Sequence, residues 1–195
     1  MLRGCQPKAK PYDGLMRIHL FLLLPMLAVS LSAAEIDSGP KPGQAAPALK
    51  VKDLTGQHEG KVVDYLKARK KEPTVVVWLT DEGWSRPTAR YLRAIDTHIT
   101  KQNKGVYQVV VRVTEKQDEV ARQLPRAQQS IRLVSSALTL HPGDVAGPEA
   151  WRLDPKASVT TVLVHQGKVV ARFAEAQVNE TSIRPVLQAI QKAVE

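Results

Sequence analysis

Six consecutive residues, Thr74-Val75-Val76-Val77-Trp78-Leu79, constrain this chain more than any other stretch. A β-branched run without polar alternation is stable in a sheet only when both faces are covered, so it reads as the central strand of a parallel-type α/β sheet. After Asp81-Glu82-Gly83 comes Trp84-Ser85-Arg86-Pro87-Thr88, and then Tyr91, Leu92, Ile95 and Ile99 recur at helical spacing as far as Asn103-Lys104-Gly105. Ser85 suits the N-cap of that helix and Pro87 its first turn. Arg86 opposes the helix dipole there, so it is expected to face solvent or to meet Asp81 or Glu82. Val106, Val109, Val110, Val111 and Val113 supply the next buried strand. Strand, helix and strand of these lengths form a βαβ unit with parallel strands.

On either side of this unit the pattern is also readable. Leu49 to Leu54 alternates apolar and charged residues as a half-exposed strand, turned by Thr55-Gly56. Val62, Val63, Leu66 and Ala68 fall on one side of a helix predicted from Lys61 to Lys70 and stopped by Pro73. Gln117 to Leu124 and Pro125 to Leu133 read as helix, with Pro125 as a start or a break. Ser135 to Leu140 is a short strand. Val159 to Val164 and Lys168 to Phe173 flank Gln166-Gly167 as a β-hairpin. A last helix, capped by Thr181 or Asn179, carries Ile183, Val186, Leu187, Ile190 and Val194.

The N-terminus has a different character. Met16-Arg17 precedes the apolar stretch from Leu20 to Leu31, and Ser32-Ala33-Ala34 offers small residues at signal-peptidase spacing. Residues 1–34 are therefore expected to be a cleaved signal peptide, with Met16 as an alternative start. The run is too short, and is broken by Pro25, for a membrane span. A Pro/Gly-rich flexible lead-in follows over 35–48, and residues 49–195 make up one domain. Cys5 is the one cysteine of the chain and lies inside the signal, so the mature protein is expected to be exported, to the periplasm or outside the cell, without any thiol. The chain carries a net charge of +9, and removing residues 1–34 takes away four basic residues and one acid, leaving +6. With aromatics at 5% and the cations dispersed, nucleic acid is not an expected partner.

The corner Trp84-Ser85-Arg86-Pro87-Thr88 resembles the Trp-Cys-Gly-Pro-Cys motif of thioredoxin-like proteins, with Ser85 and Thr88 standing where that family has its cysteines. The run Val159-Thr160-Thr161-Val162-Leu163-Val164 to Gly167-Lys168-Val169-Val170 resembles the family's Pro-Thr-Thr hairpin, with Val159 in place of the proline. The resemblance extends over roughly Ala46 to Val194 and is nearest to exported reductase-like and peroxiredoxin-like branches. It implies a thioredoxin-like α/β sandwich, a central four- to five-stranded mixed sheet with helices on both faces. It also implies lost chemistry: exchange needs a thiolate, and neither Ser85 nor Thr88 forms a disulfide. A trans bond before Val159 is expected, since the cis form of a non-proline bond costs about 2.5–4 kcal/mol.

Other chemistries find little support in the sequence. Gly83-Trp84-Ser85-Arg86-Pro87 is not a nucleophile elbow. His58, His98, His141 and His165 sit in different elements without metal-ligand spacing, so neither a metal nor a cofactor is expected. Asn179-Glu180-Thr181 fits a glycosylation triplet, although capping accounts for it. The expected function is a redox-inactive, non-enzymatic module that binds a peptide or protein, or is purely structural, using Trp84, Ser85, Arg86, Pro87, Thr88 and Val159. An enzyme of non-thiol chemistry in the same cleft, involving Ser85, Arg86 or His165, and an oxidoreductase by family alone, are the alternatives.

Overall fold

The computed structural model describes residues 36–195, and the expected signal peptide of residues 1–34, with Cys5, lies outside the described residues. The run that opens the sequence argument is strand β3 (Thr74–Leu79), buried at every position. It pairs in parallel with β4 (Tyr107–Arg112) and antiparallel with β6 (Val159–His165). Helix α2 (Arg86–Gln102) connects β3 to β4 and ends where Asn103 turns left-handed at φ 48°, its N–H bonded to the Ile99 carbonyl. Helix α3 (Gln117–Ile131) then leads to β5 (Ser136–Leu140), parallel to β4. Strand β7 (Lys168–Glu175) completes the hairpin with β6, and α4 (Ile183–Ala193) follows.

The mixed sheet has seven strands where four to five were expected, and the α/β class stands. The expected strands at Leu49–Leu54 and Ser135–Leu140 are β1 (Lys50–Asp53) and β5, both joined to the one sheet, and β2 (Val62–Asp64) adds a strand where a helix was predicted, in the order β2-β1-β5-β4-β3-β6-β7. Val62 and Val63 lie in β2 and not in the predicted helix, because these β-branched residues pair with Lys52 and Val51 of β1. Only Tyr65–Ala68 is helical (α1), and Asp64 caps it by accepting from the Lys67 N–H. Pro125 breaks nothing, since α3 runs through it. Ser182, and not Thr181 or Asn179, precedes α4; the Asn179 side chain instead accepts from the Thr181 N–H and hydroxyl.

Two cores flank the sheet. Val75, Val77, Leu79 and Val110 meet α2, α3 and α4 through Leu92, Ile95, Leu124, Val186 and Ile190. Val76, Trp78, Val109 and Val111 on the other face pack on Tyr65 and Trp151, the latter in a 3₁₀ turn (Glu149–Trp151). The alternation of these residues along β3 and β4 is the strand period of two. The lead-in expected to be flexible is fastened down. The Ser38 hydroxyl bonds Thr160 Oγ1 at 2.6 Å, the Gly39 N–H donates to the Arg152 carbonyl, the Gly43 N–H to the Val169 carbonyl, and Asp37 pairs with Arg172.

Buried carboxylates tie the loops to the sheet. Asp53, 0% exposed, accepts from the N–H groups of Thr55, Gly56 and His58 and from the Tyr65 hydroxyl. A side chain on Gly56 would collide with that hydroxyl at 2.5 Å and with the Ala137 Cβ at 2.6 Å. Asp96, the one acid of α2, accepts from the N–H groups of Val134 and Ser135 and from Ser136 Oγ. Removing Asp53 leaves several buried donors without an acceptor. Asp53→Ala should lower the unfolding free energy by about 3 kcal/mol, read by urea denaturation.

Candidate functional site

Beyond Leu79 the chain leaves the sheet at a pinned point: the Leu79 carbonyl accepts from the Val113 N–H at 2.9 Å and the Thr80 N–H donates to the Ser158 carbonyl at 3.1 Å. The loop then crosses so close to Ser158 that a Cβ on Gly83 would lie 2.2 Å from its carbonyl oxygen. Only glycine fits that crossing. The Trp84 N–H donates to the Asp81 carbonyl, and Ser85 is extended at φ −139°, ψ 167°. Its Oγ accepts from the Thr88 N–H at 3.3 Å and lies 2.9 Å from Thr88 Oγ1. Ser85 is thus the expected N-cap, satisfying one of the unbonded amides at the helix start. Pro87 occupies the first turn, where its missing N–H costs nothing.

The structure places the six sequence-predicted residues at one end of β3 with unequal access. Arg86 and Pro87 are exposed, Trp84 and Ser85 half-buried, and Thr88 and Val159 buried. Val159, opposite Leu79 in the β3–β6 register, is part of the core, and no peptide bond among the described residues is cis. A ligand at this corner therefore meets Trp84 to Pro87 and leaves Thr88 and Val159 to shape the support beneath. His165 lies at the other end of β6, six residues or about 20 Å along the strand from Val159. It is not assembled with Ser85. Among the described residues the Ser85 hydroxyl bonds only Thr88, and no histidine reaches it as a base.

One residue of the corner escaped the sequence reading. Arg112, the last residue of β4, is 4% exposed. Its Nη2 donates to Asp81 Oδ1 at 2.6 Å, Thr114 Oγ1 donates to Asp81 Oδ2 at 2.9 Å, and the guanidinium carbon stands 4.9 Å from the centre of the Trp84 ring. Asp81 therefore meets Arg112 and not Arg86, which faces solvent with no ion pair among the described residues. Burial draws the Arg112 guanidinium below its usual pKa, while Asp81 acts against the shift. The signal in the sequence was a charged residue inside a valine run, at a register position facing the helices.

A cleft of about 430 Å³ opens beside the corner between the loops that follow β3 and β4. Trp78 and Thr160 lie in its wall and Asp81, Lys116, Val145 and Asp154 around it. Behind it the His141 ring stands edge-on to Trp78 at 6.0 Å. Burial lowers the His141 pKa from 6.5, opposed by a backbone contact at Lys50 and by Asp144. Among the described residues no group of three or more His, Cys, Asp or Glu side chains is placed to hold a metal, and no helix is long and apolar enough to cross a membrane.

Two measurements check this geometry. Ser85→Ala removes the cap acceptor and should cost about 1 kcal/mol of stability, read by thermal unfolding. His141 holds its proton less tightly folded than unfolded, so on acidification the unfolded chain protonates first and gains. Stability should fall as the pH drops through about 6.5 toward the depressed folded value, and His141→Gln should flatten part of that slope.

No protein-family model and no curated protein matches the sequence. Solved structures do match the fold. The thioredoxin domain of a thiol-disulfide oxidoreductase from Bacteroides vulgatus is similar with a TM-score of 0.59 at 17% identity, covering 80% of this chain and 99% of that one. A thiol:disulfide interchange protein from Bacteroides sp. gives 0.56 at 20%, covering 79% and 90%. A peroxiredoxin-like protein from Aquifex aeolicus gives 0.52 at 12%, covering 82% and 89%. Identities this low carry no activity across, but together with the sheet order and the β3–α2 corner they establish that residues 36–195 adopt a thioredoxin-like fold.

Proposed function

We propose that this is an exported, redox-inactive thioredoxin-like protein that binds a peptide or protein partner at the end of β3. The observation that carries the reading is the Ser85–Thr88 hydroxyl pair, 2.9 Å apart at the start of α2, at the corner whose sequence resembles the two-cysteine motif. Both oxygens are engaged in the helix cap, and the single cysteine, Cys5, belongs to the segment expected to be removed. A hydroxyl at this position gains nothing comparable to the acid strengthening of a thiol, because its ionisation lies far above neutral pH. Export rests on the Met16-Arg17 start, the apolar run to Leu31 and the small residues at 32–34.

Binding is supported by what the corner leaves accessible. Trp84 is held by the Arg112 guanidinium, a rigid aromatic beside a cleft, and Arg86 and Pro87 stand exposed next to it. Purified mature protein is expected to add nothing to the insulin-disulfide reduction or peroxide consumption produced by dithiothreitol alone. A Ser85→Cys/Thr88→Cys variant should close an intramolecular disulfide, detected by mass shift after alkylation. Thiol-independent turnover by the unaltered protein would overturn the redox-inactive reading.

A further inference from the structure

Helix α2 carries its charge in an unusual way for a helix packed on a sheet. Arg86, Arg90, Arg93 and Lys101 are all exposed and recur at intervals of four, three and eight, which places them along one solvent ridge. The helix has one acid, Asp96, and that carboxylate is buried and taken up by the start of β5. None of the four cations has an ion pair among the described residues. Arg86 and Arg90 repel each other at i, i+4, and Arg86 also opposes the positive end of the helix dipole. Lys101, in the last turn, suits the dipole, but the three arginines have no such support.

Beside the ridge lies an apolar recess. A groove of about 430 Å³ runs between α2 and the segment leading into α4, floored by Pro87, Tyr91, Ala94, Val178 and Ile183. Arg90 stands on its α2 rim and Glu180 on the opposite one. A narrow apolar trough with cations along one side matches a chain that presents an apolar side chain inward and carboxylates to one flank.

We propose that the α2–α4 groove is the docking site for an acidic, amphipathic peptide segment of a partner protein. Its apolar side chain fills the trough over Ala94 and Ile183, its carboxylates meet Arg86, Arg90 and Arg93, and its backbone N–H groups face Glu180. The inference rests on the reading of the protein as a binding module and names the chemistry of its partner. An anionic membrane suits the site less well. Among the described residues the exposed large hydrophobics, Val62, Val134, Val145 and Val170, all lie off α2 and α4, so none of them on this face enters an acyl layer, and a planar surface leaves the trough empty. Single-stranded nucleic acid lacks a stacking platform in the groove, because Tyr91, the one aromatic residue lining it, is buried.

The test uses residues 35–195 and a fluorescein-labelled peptide of Leu-Glu-Glu repeats, with the Leu-Lys-Lys peptide, phosphatidylglycerol vesicles and oligo-dT as alternative probes. Anisotropy should show saturable binding of the Leu-Glu-Glu peptide that weakens as salt rises. Arg90→Glu/Arg93→Glu should weaken it by about tenfold or more, and Ala94→Trp, which fills the trough, by a similar factor, with circular dichroism spectra unchanged. No binding of the acidic peptide, binding unaltered by both variants, or tighter binding of vesicles or oligo-dT would overturn the proposal. Peptide binding lost in Trp84→Ala but kept in Arg90→Glu/Arg93→Glu would also overturn it, while leaving the binding-module reading in place. Reductase turnover would strike the redox-inactive reading alone.

Discussion

Strand β3 is enclosed on four sides, and the remainder of the domain is arranged to keep it so. Its edges are taken by β4 and β6, its faces by the two cores, and all six of its residues are buried. A strand in that position has no freedom to slip, since a shift of one residue would exchange Trp78 and Leu79 between opposite faces. The register therefore fixes where the chain emerges. Everything at the corner follows from that point: the Thr80 bond to Ser158, the glycine crossing, the cap at Ser85 and the direction of α2.

Much of this was legible because the determinants are local. The valine run, the Ser85 cap, the hairpin about Gln166-Gly167 and the final amphipathic helix each carry their instructions within a few residues. What was illegible depended on partners distant in sequence. Val62 and Val63 suit a helix face or a strand equally, and only the presence of Val51 opposite them selects the strand. The sheet grew to seven strands because β5 offers its free edge to β1, a pairing across more than eighty residues. Pro125 marks a helix start in many contexts, yet the packing of Val120 and Leu124 carries α3 through it.

The corner divides in the same way. The chemistry of Ser85 could be read from its place before Arg86-Pro87, whereas the pairing of Val159 with Leu79 emerges only from the β3–β6 register. The role of Arg112 could not be read, because it joins three separate segments: the end of β4, the loop at Asp81 and the ring of Trp84. Its buried guanidinium carries a desolvation cost that Asp81, half open to water, offsets only in part. Trp84 thereby becomes a fixed part of the scaffold with one side turned outward. A sulfur-free corner is thus still a rigid one, held by hydroxyls and a cation.

The lead-in, fastened along β7, has an effect on how copies of the protein behave together. Strand β7 is the last of the sheet, and its outer main-chain groups at Val169 are already bonded to Gly43 and Gln44, with Ala46 bonded to Gly167 just before it. Arg172 further along holds the Gly39 carbonyl and Asp37. An incoming strand from a neighbouring molecule finds that stretch of the border occupied. The Pro/Gly-rich segment thus serves as a selvedge, guarding a hairpin rich in valine against edge-to-edge growth where the protein is concentrated.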